Sequence, residues 1–196
     1  PAIVENGAGF LPEDSEIHPN NVAYISLRSK LEDVPARLRS QFRGFGDMAA
    51  TQISTVTGLP QEDAARASQR AFSEPGLWSG TAEDRAEFLE ALAAEGIAAR
   101  EGGRFLTLSF GQTKADQMAQ IIARYHPHHT VALGDAPNDV EMLEAADFGV
   151  IIANPHRDPL LPLEGEQNGR IIRTTLAGPE GWNVAMFDLV TRLKLT

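Results

Sequence analysis

The second half of the chain alternates helical and strand-like segments, and this alternation limits the possible folds more than any other feature of the sequence. The apolar pattern predicts helices over residues 114–125, 138–145 and 180–193, and strands over 130–133, 148–152 and 170–173. Strands that alternate with helices in this way favour a parallel sheet covered by helices. We therefore predict a doubly wound α/β core for this part of the chain.

The first half has a different pattern, which is typical of a smaller α+β module. Its predicted segments are a strand over 22–27, helices over 34–42, 52–56 and 62–71, an extended segment over 72–78, a helix that begins at Thr81 and ends before Gly96, and strands over 97–101 and 104–110. Gly102-Gly103 is a two-residue hairpin signal, because both glycines accept positive φ. The change of pattern places a domain boundary near residues 111–113.

Composition excludes several classes of function. The formal net charge is −10 at pH 7, so the long-range field repels nucleic acid and anionic membrane surfaces as main partners. The sequence has no cysteine, which removes disulfides, zinc-thiolate sites and thiol catalysis and fits a reducing compartment. The longest apolar runs are far shorter than the roughly 18 residues that cross a bilayer. We predict a cytoplasmic protein with no nucleic-acid or membrane partner.

A polar run follows the predicted strand 130–133 and leads into a helix. It reads Gly134-Asp135-Ala136-Pro137-Asn138-Asp139. Open parallel sheets bind ligands at the carboxyl ends of their strands, which is where Asp135 lies. Two carboxylates and an amide without a nearby cysteine favour a hard oxygen site suited to Mg²⁺. The alternative is structural: a glycine and a proline make a turn, and Asn138 or Asp139 caps the helix.

Lys114 stands at the start of a predicted helix, behind Thr113 as the expected cap. The positive end of the helix dipole disfavours a cation there by up to about 1 kcal/mol. A phosphoryl group would remove this conflict, because backbone amides, a lysine and a metal ion together neutralise its oxygens. The alternative is a solvated surface lysine without a role. The order of lysine, helix, strand and GDxxND is more specific than either part alone.

Several motifs together point to one family. The segment PAIVENGAG, the α+β insert, the lysine that opens a helix and GDAPND resemble the Cof-type branch of the haloacid dehalogenase superfamily over the whole chain. Within that branch, GFGDM at 44–48, QRAFSEP at 69–75, GGRF at 102–105 and GPEGW at 178–182 are similar to motifs of the mannosyl-3-phosphoglycerate phosphatase family.

The resemblance implies an α/β fold. Residues 1–10 and 112–196 would belong to a haloacid dehalogenase-like Rossmannoid core, and residues 11–111 would form a Cof-type cap. The implied activity is Mg²⁺-dependent hydrolysis of a small-molecule sugar phosphate, most closely mannosyl- or glucosyl-3-phosphoglycerate, to the glycosylglycerate, a compatible solute, and phosphate. Another sugar phosphate remains the alternative substrate.

The resemblance also implies roles for single residues. Lys114 would stabilise the nucleophile and the phosphoryl oxygens, Asp135 and Asp139 would ligate Mg²⁺, and Asn138 and Asp139 would complete or orient the site. In the cap, the candidates for the glycerate carboxylate and the sugar hydroxyls are Arg70, Ser73, Glu74 and Arg104. Arginine suits a carboxylate because its planar fork forms two parallel hydrogen bonds. The alternative for both arginines is a surface ion pair.

Some residues depart from the family pattern. Ala71 stands where an acidic residue is usual and Thr107 where histidine often follows GGRF, and both leave the substrate open. No DxDGT-type motif, which would carry the nucleophilic aspartate, is present: Asp14, Asp33 and Asp47 lack the preceding apolar strand and the following Asp-Gly-Thr.

Without that motif, we expect an incomplete core in which residues 2–5 form the third strand, and a chain that is inactive alone. A missing amino-terminal segment or a homo-oligomer partner would complete the core. The alternative from another class is a non-catalytic module that binds sugar phosphates. Residues 126–129, which read His-Pro-His-His, are expected in an exposed loop, and Trp78 and Trp182 are expected in or near the core.

Overall fold

The chain separates into two units. The structure, a computed structural model, describes residues 1–13, 21–102 and 104–194. The first unit is Pro1–Thr113 and the second is Lys114–Thr196. Residues 1–10 pack within the first unit, and their assignment to a core shared with the second unit stays a prediction.

The first unit mixes short helices with antiparallel strands. In chain order its elements are β1 (Ala2–Val4), β2 (Gly9–Leu11), α1 (Val22–Glu32), α2 (Ala36–Arg39), β3 (Phe42–Gly44), α3 (Ala50–Thr57), α4 (Gln61–Ala67), β4 (Ser73–Trp78), α5 (Ala82–Ala94), β5 (Ala98–Gly102) and β6 (Phe105–Ser109). Among the described residues, one antiparallel sheet has the strand order β3, β4, β6, β5, and β1 pairs only with β2.

The strand predicted over residues 22–27 is wrong, because these residues begin helix α1. The side chain of Asn21 caps this helix by accepting a hydrogen bond of 2.9 Å from a backbone N–H of the first turn. Leu27 and Leu31 lie four residues apart on one helix face and are fully buried. The helix predicted over 34–42 is shortened to α2, and its last predicted residue lies in β3 instead.

Other local predictions are confirmed. Gly58 ends α3 in the left-handed conformation with a φ of 79°. The Thr81 hydroxyl caps α5 by accepting a hydrogen bond of 3.1 Å from the backbone N–H three residues later. Strands β5 and β6 form the predicted hairpin, in which Gly102 pairs with Phe105. Gly103, predicted in its turn, lies outside the described residues.

One face of the four-stranded sheet packs against helices and forms the main core of the first unit. Phe88 of α5 stacks on Phe42 and on Trp78, with ring centroids 5.5 Å and 4.9 Å away. Trp78 is thus packed against the core, as predicted. The other buried members of this core are Leu27, Leu31, Val34, Leu38, Leu92, Ile97, Leu106 and Leu108.

The second unit is a parallel sheet with helices, as the alternation predicts. Its elements are α6 (Lys114–Tyr125), β7 (Val131–Gly134), α7 (Val140–Ala145), β8 (Phe148–Ala153), α8 (Glu164–Gln167), β9 (Ile171–Ala177) and α9 (Gly178–Arg192). In the described part of this unit, β8 lies between β7 and β9, and all three strands run parallel.

Helix α9 covers the parallel sheet. Val150 of the central strand is fully buried and belongs to one cluster with Ala185 and Leu189. The prediction that Trp182 lies in or near the core is wrong, because this residue lies near the start of α9 at the carboxyl ends of the strands and is 49% exposed. The loop 126–129 is exposed, as predicted. No helix within the described residues has both the length and the apolar character to span a bilayer.

Candidate functional site

The carboxyl ends of the parallel strands line an open cleft in the second unit. Its volume is about 1000 Å³, and its walls come from the ends of β7 and β8 and from the junction between β9 and α9. Asp135 directly follows β7 and Asn154 directly follows β8, so both polar side chains lie at the same edge of the sheet. Trp182 adds an aromatic wall. This edge is where open parallel sheets bind their ligands.

A buried carboxylate, Asp139, organises the loop that follows β7. One of its oxygens accepts a hydrogen bond of 2.5 Å from the Lys114 ammonium. The other accepts hydrogen bonds of 3.1 Å from the backbone N–H groups of Asp135 and Ala136. Asp139 therefore caps the short 3₁₀ turn Pro137–Asp139 and at the same time fixes the lysine at the start of α6.

Gly134 permits this arrangement. A Cβ atom at position 134 would lie 2.4 Å from the Cβ atom of Asp139, far inside van der Waals contact. The glycine of the GDxxND motif is therefore required by the close approach of the buried carboxylate.

The side chain of Asp135 is held by Asn154, which follows the neighbouring strand β8. Its Oδ2 atom accepts a hydrogen bond of 2.6 Å from the side-chain amide of Asn154. The oxygen of the same amide accepts a hydrogen bond of 2.9 Å from the backbone N–H of His156, which sets the orientation of the amide. Sequence reasoning missed Asn154. The signal available was a polar residue directly after a strand that neighbours β7.

The donor set of this site consists of oxygens. Asn138 lies on the exposed surface of the turn between Asp135 and Asp139, so all three predicted residues of the motif are gathered in one loop. Within residues 1–13, 21–102 and 104–194, no three acidic, histidine or cysteine side chains converge as a ready metal site. Asp135 is thus the carboxylate that faces the cleft, whereas Asp139 is engaged by the lysine and the loop.

Two of the predicted cap residues, Arg70 and Ser73, meet at a carboxylate in the first unit. A guanidinium N–H of Arg70 donates to the Ser73 hydroxyl at 2.6 Å and pairs with Glu5 at 3.2 Å. The Ser73 hydroxyl donates to the same Glu5 carboxylate at 2.7 Å. Glu5 also accepts from the backbone N–H groups of Ala71, at 2.7 Å, and Phe72, at 3.1 Å. Glu5 was not identified from the sequence as part of this group.

Glu74 points to the other face of the sheet, where it is fully buried. Its oxygens accept hydrogen bonds from the Tyr24 hydroxyl, from Arg28 at 3.1 Å and from the backbone N–H of Gly46 at 2.7 Å. Burial raises the pKa of Glu74, and the hydrogen bonds from Tyr24 and Gly46 oppose that rise. A Cβ atom on Gly44 would lie 1.9 Å from a Glu74 oxygen, which explains the first glycine of GFGDM.

Arg104 lies apart from these residues. Its guanidinium donates to the backbone carbonyl of Thr57 at 3.0 Å and lies 5.7 Å from the centroid of the Phe105 ring. The first unit therefore brings together Arg70 and Ser73, and it holds Glu74 and Arg104 in separate surroundings.

Comparison with known proteins gives sequence relatives with a consistent description. A family model of haloacid dehalogenase-like hydrolases matches residues 80–158. The chain is 30% identical to a glucosyl-3-phosphoglycerate/mannosyl-3-phosphoglycerate phosphatase of Persephonella marina, over 99% of the chain and 77% of the relative. It is 28% identical to a phosphatase of the same description from Methanococcoides burtonii, over 97% of the chain and 76% of the relative.

Solved structures give the same fold. One solved structure comes from work described as showing conservation of a trigonal-bipyramidal intermediate in a phosphoryl-transfer superfamily. It aligns with a TM-score of 0.52 at 18% identity, and the alignment covers 95% of this chain and 74% of the other chain. Thermoplasma acidophilum 0175 aligns with a TM-score of 0.50 at 13% identity, over 90% of this chain and 63% of its own. At such identities the likeness indicates the fold alone.

Proposed function

The chain belongs to the haloacid dehalogenase-like hydrolases, and on this premise we propose that it carries the metal-, phosphate- and substrate-binding residues of a Mg²⁺-dependent sugar-phosphate phosphatase. The proposed substrate is glucosyl- or mannosyl-3-phosphoglycerate, and the products are the glycosylglycerate, a compatible solute, and phosphate. The descriptions of the sequence relatives support this substrate. The absence of cysteine fits a reaction in the cytoplasm.

The observation that carries the proposal is the arrangement of Lys114, Asp139 and Asp135 at the carboxyl end of β7. Asp139 holds Lys114 by an ion pair of 2.5 Å, yet the lysine side chain keeps 24% of its surface exposed. An ammonium group has three N–H donors, so Lys114 can be positioned by Asp139 and still donate to a phosphoryl oxygen. A freely solvated surface lysine would not be fixed in this way.

The oxygen donors at this edge suit Mg²⁺, which takes one or two carboxylates and completes its shell with water and substrate phosphate. We assign Asp135 as the carboxylate that binds the ion and Asn154 as the residue that orients it. Asp139, expected beside it as a ligand, has both oxygens in use, so we assign it to position Lys114 and the loop. The bound ion would polarise the phosphoryl group.

The reaction needs a nucleophile that these 196 residues do not offer in a DxDGT-type context. An aspartate oxygen would form a bond to phosphorus while the glycerate oxygen leaves, and water would then release phosphate from the aspartyl-phosphate. Lys114 would neutralise the phosphoryl oxygens throughout, and Asn138 would orient the bound group. We therefore propose that this chain alone does not hydrolyse the sugar phosphate.

In the first unit, the four predicted residues remain our candidates for substrate recognition, and their surroundings suggest different roles. Arg70 and Ser73 share the Glu5 carboxylate and would present hydrogen bonds as one unit. Arg104 is exposed and would contact substrate directly. Glu74 is fully buried, so it would act by holding the GFGDM loop.

A phosphate-binding experiment tests the site. The purified chain should bind orthophosphate in a Mg²⁺-dependent manner, followed by ³¹P NMR. Asp135→Asn should remove the Mg²⁺ effect, and Lys114→Ala should weaken binding with the Mg²⁺ effect retained. Asp188→Asn, an exposed change on α9, is the control. Equal binding by all four proteins would contradict the site assignment.

The second candidate function is a non-catalytic module that binds sugar phosphates, and the absence of a DxDGT-type nucleophile favours it. A measurement of hydrolysis distinguishes the two candidates. The chain alone should not hydrolyse p-nitrophenyl phosphate or glucosyl- or mannosyl-3-phosphoglycerate. Fusion to a segment that carries a DxDGT motif should restore hydrolysis if the chain is part of an enzyme. Hydrolysis by the unfused chain that is lost in Asp135→Ala would show that another residue is the nucleophile.

A further inference from the structure

A small polar cavity lies within the first unit, beside the exposed strand β5. It is lined by Glu5, Arg100, Glu101, Thr107 and Ser109 among others, and its volume is about 40 Å³. One water needs roughly 10–15 Å³ of such space, so the cavity has room for about three heavy atoms. None of these side chains belongs to the substrate-binding residues proposed above.

Each acidic side chain of this cavity is paired with an arginine. Glu5 is held by Arg70 and by two backbone N–H groups. Glu101 pairs with Arg85 at 2.5 Å. Arg100, in contrast, forms no ion pair with any carboxylate in the described part of the chain, and it makes a hydrogen bond of 3.3 Å to the carbonyl of Gly111. The unmatched charge at the cavity is therefore positive.

Hydroxyl groups lie on the same sheet face as Arg100. In the register of β5 and β6, Arg100 lies opposite Thr107, and Ser109 is the next residue of β6 on that face. The Ser109 oxygen accepts a hydrogen bond of 3.2 Å from the backbone N–H of Gly111, which leaves its own O–H to donate elsewhere. A guanidinium fork beside hydroxyl donors is suited to a carboxylate.

We propose that this cavity binds the carboxylate of a small organic acid and that Arg100 is its specificity-determining residue. A carboxylate has three heavy atoms and matches the cavity, whereas a phosphate or a sugar ring is larger. Arg70, another arginine considered for this role, is already paired with Glu5, whereas Arg100 has no carboxylate partner among the described residues. The identification of the acid as the glycerate moiety rests on the proposed function.

Titration of the ¹⁵N-labelled chain with D-glycerate, followed by NMR, tests the proposal, with glycerol as the uncharged analogue. Glycerate should cause saturable shifts of the Thr107 and Ser109 amide signals, and glycerol should not. Arg100→Gln should weaken glycerate binding by about tenfold, as expected for the loss of a charged hydrogen-bond partner. Arg43→Gln, which removes another exposed arginine from the edge strand β3, should change binding less than twofold.

Three results would overturn the proposal: no saturable shifts with glycerate, equal weakening by both substitutions, or tighter binding of orthophosphate than of glycerate at these amides. The readout is independent of catalysis. If the fused enzyme fails to hydrolyse any sugar phosphate while glycerate still binds through Arg100, the proposed function fails and the carboxylate site stands. If hydrolysis occurs but Arg100→Gln leaves glycerate binding intact, the carboxylate site fails alone.

Discussion

Replacing Asp139 by alanine should destabilise the second unit by about 3–5 kcal/mol, the range typical for removing one partner of a buried ion pair. The structure explains why the loss is this large. The Asp139 side chain is 6% exposed, and it serves one ammonium at 2.5 Å and two backbone N–H groups at 3.1 Å. Each buried donor left without an acceptor costs about 1–3 kcal/mol. Because small domains are stable by only about 5–15 kcal/mol, the variant should be close to unfolding.

Two measurements follow the second unit separately. The chain has two tryptophans, so a Trp78→Phe background leaves Trp182 of α9 as the fluorescent reporter during urea unfolding. Hydrogen exchange of the Asp135 and Ala136 amides then reports the loop itself, because both donate to Asp139. In the alanine variant, both amides should exchange much faster than in the wild type under native conditions.

The exposed Asp188 of the same unit provides the matched control. Asp188→Ala should change stability by no more than about 0.5 kcal/mol, as is usual for surface positions. If Asp139→Ala lowers the unfolding free energy by less than about 1 kcal/mol, or if the two amides keep their protection, the carboxylate does not organise the loop and the reasoning is refuted.

Three further predictions test the same unit. Asn154→Ala should weaken Mg²⁺-dependent phosphate binding by about tenfold or more, measured by ³¹P NMR, because the proposed metal-binding carboxylate loses its orienting amide; unchanged binding would remove Asn154 from the site. Hydrogen bonds from Arg173 lower the pKa of Glu166 to about 2 from its ordinary 4.5. Its stabilising effect should therefore be present above pH 4.5 and be lost as the pH falls toward 2, so urea unfolding should show the wild type and Glu166→Gln converging by up to about 1 kcal/mol over that range. Gly134→Ala should lower stability by about 1–3 kcal/mol in thermal unfolding, whereas Gly102→Ala, where a Cβ atom meets nothing within 4 Å, should be nearly neutral.

The sequence alone determined most of the second unit. The helix predicted over 114–125 is present with the same bounds, and the strands and helices that follow it are displaced by only a few residues. This part was predictable because helical and strand periodicities are local, and alternating elements permit few arrangements of a sheet. The same reasoning placed Asp135 at the carboxyl end of a strand, since its position follows from the end of an apolar run.

Only the tertiary structure decided which side chains meet. Residues 22–27 have a strand-like composition, but burial of Leu27 and Leu31 on one face favours the helix. Glu5 binds the backbone N–H of Ala71, 66 residues away in the sequence, and thereby determines the surroundings of Arg70. The partners of an ionic or buried polar group depend on how distant segments pack, and no local periodicity encodes that information. For this reason the ion pair of Lys114 with Asp139 and the lack of a carboxylate partner for Arg100 among the described residues became visible only in the folded chain.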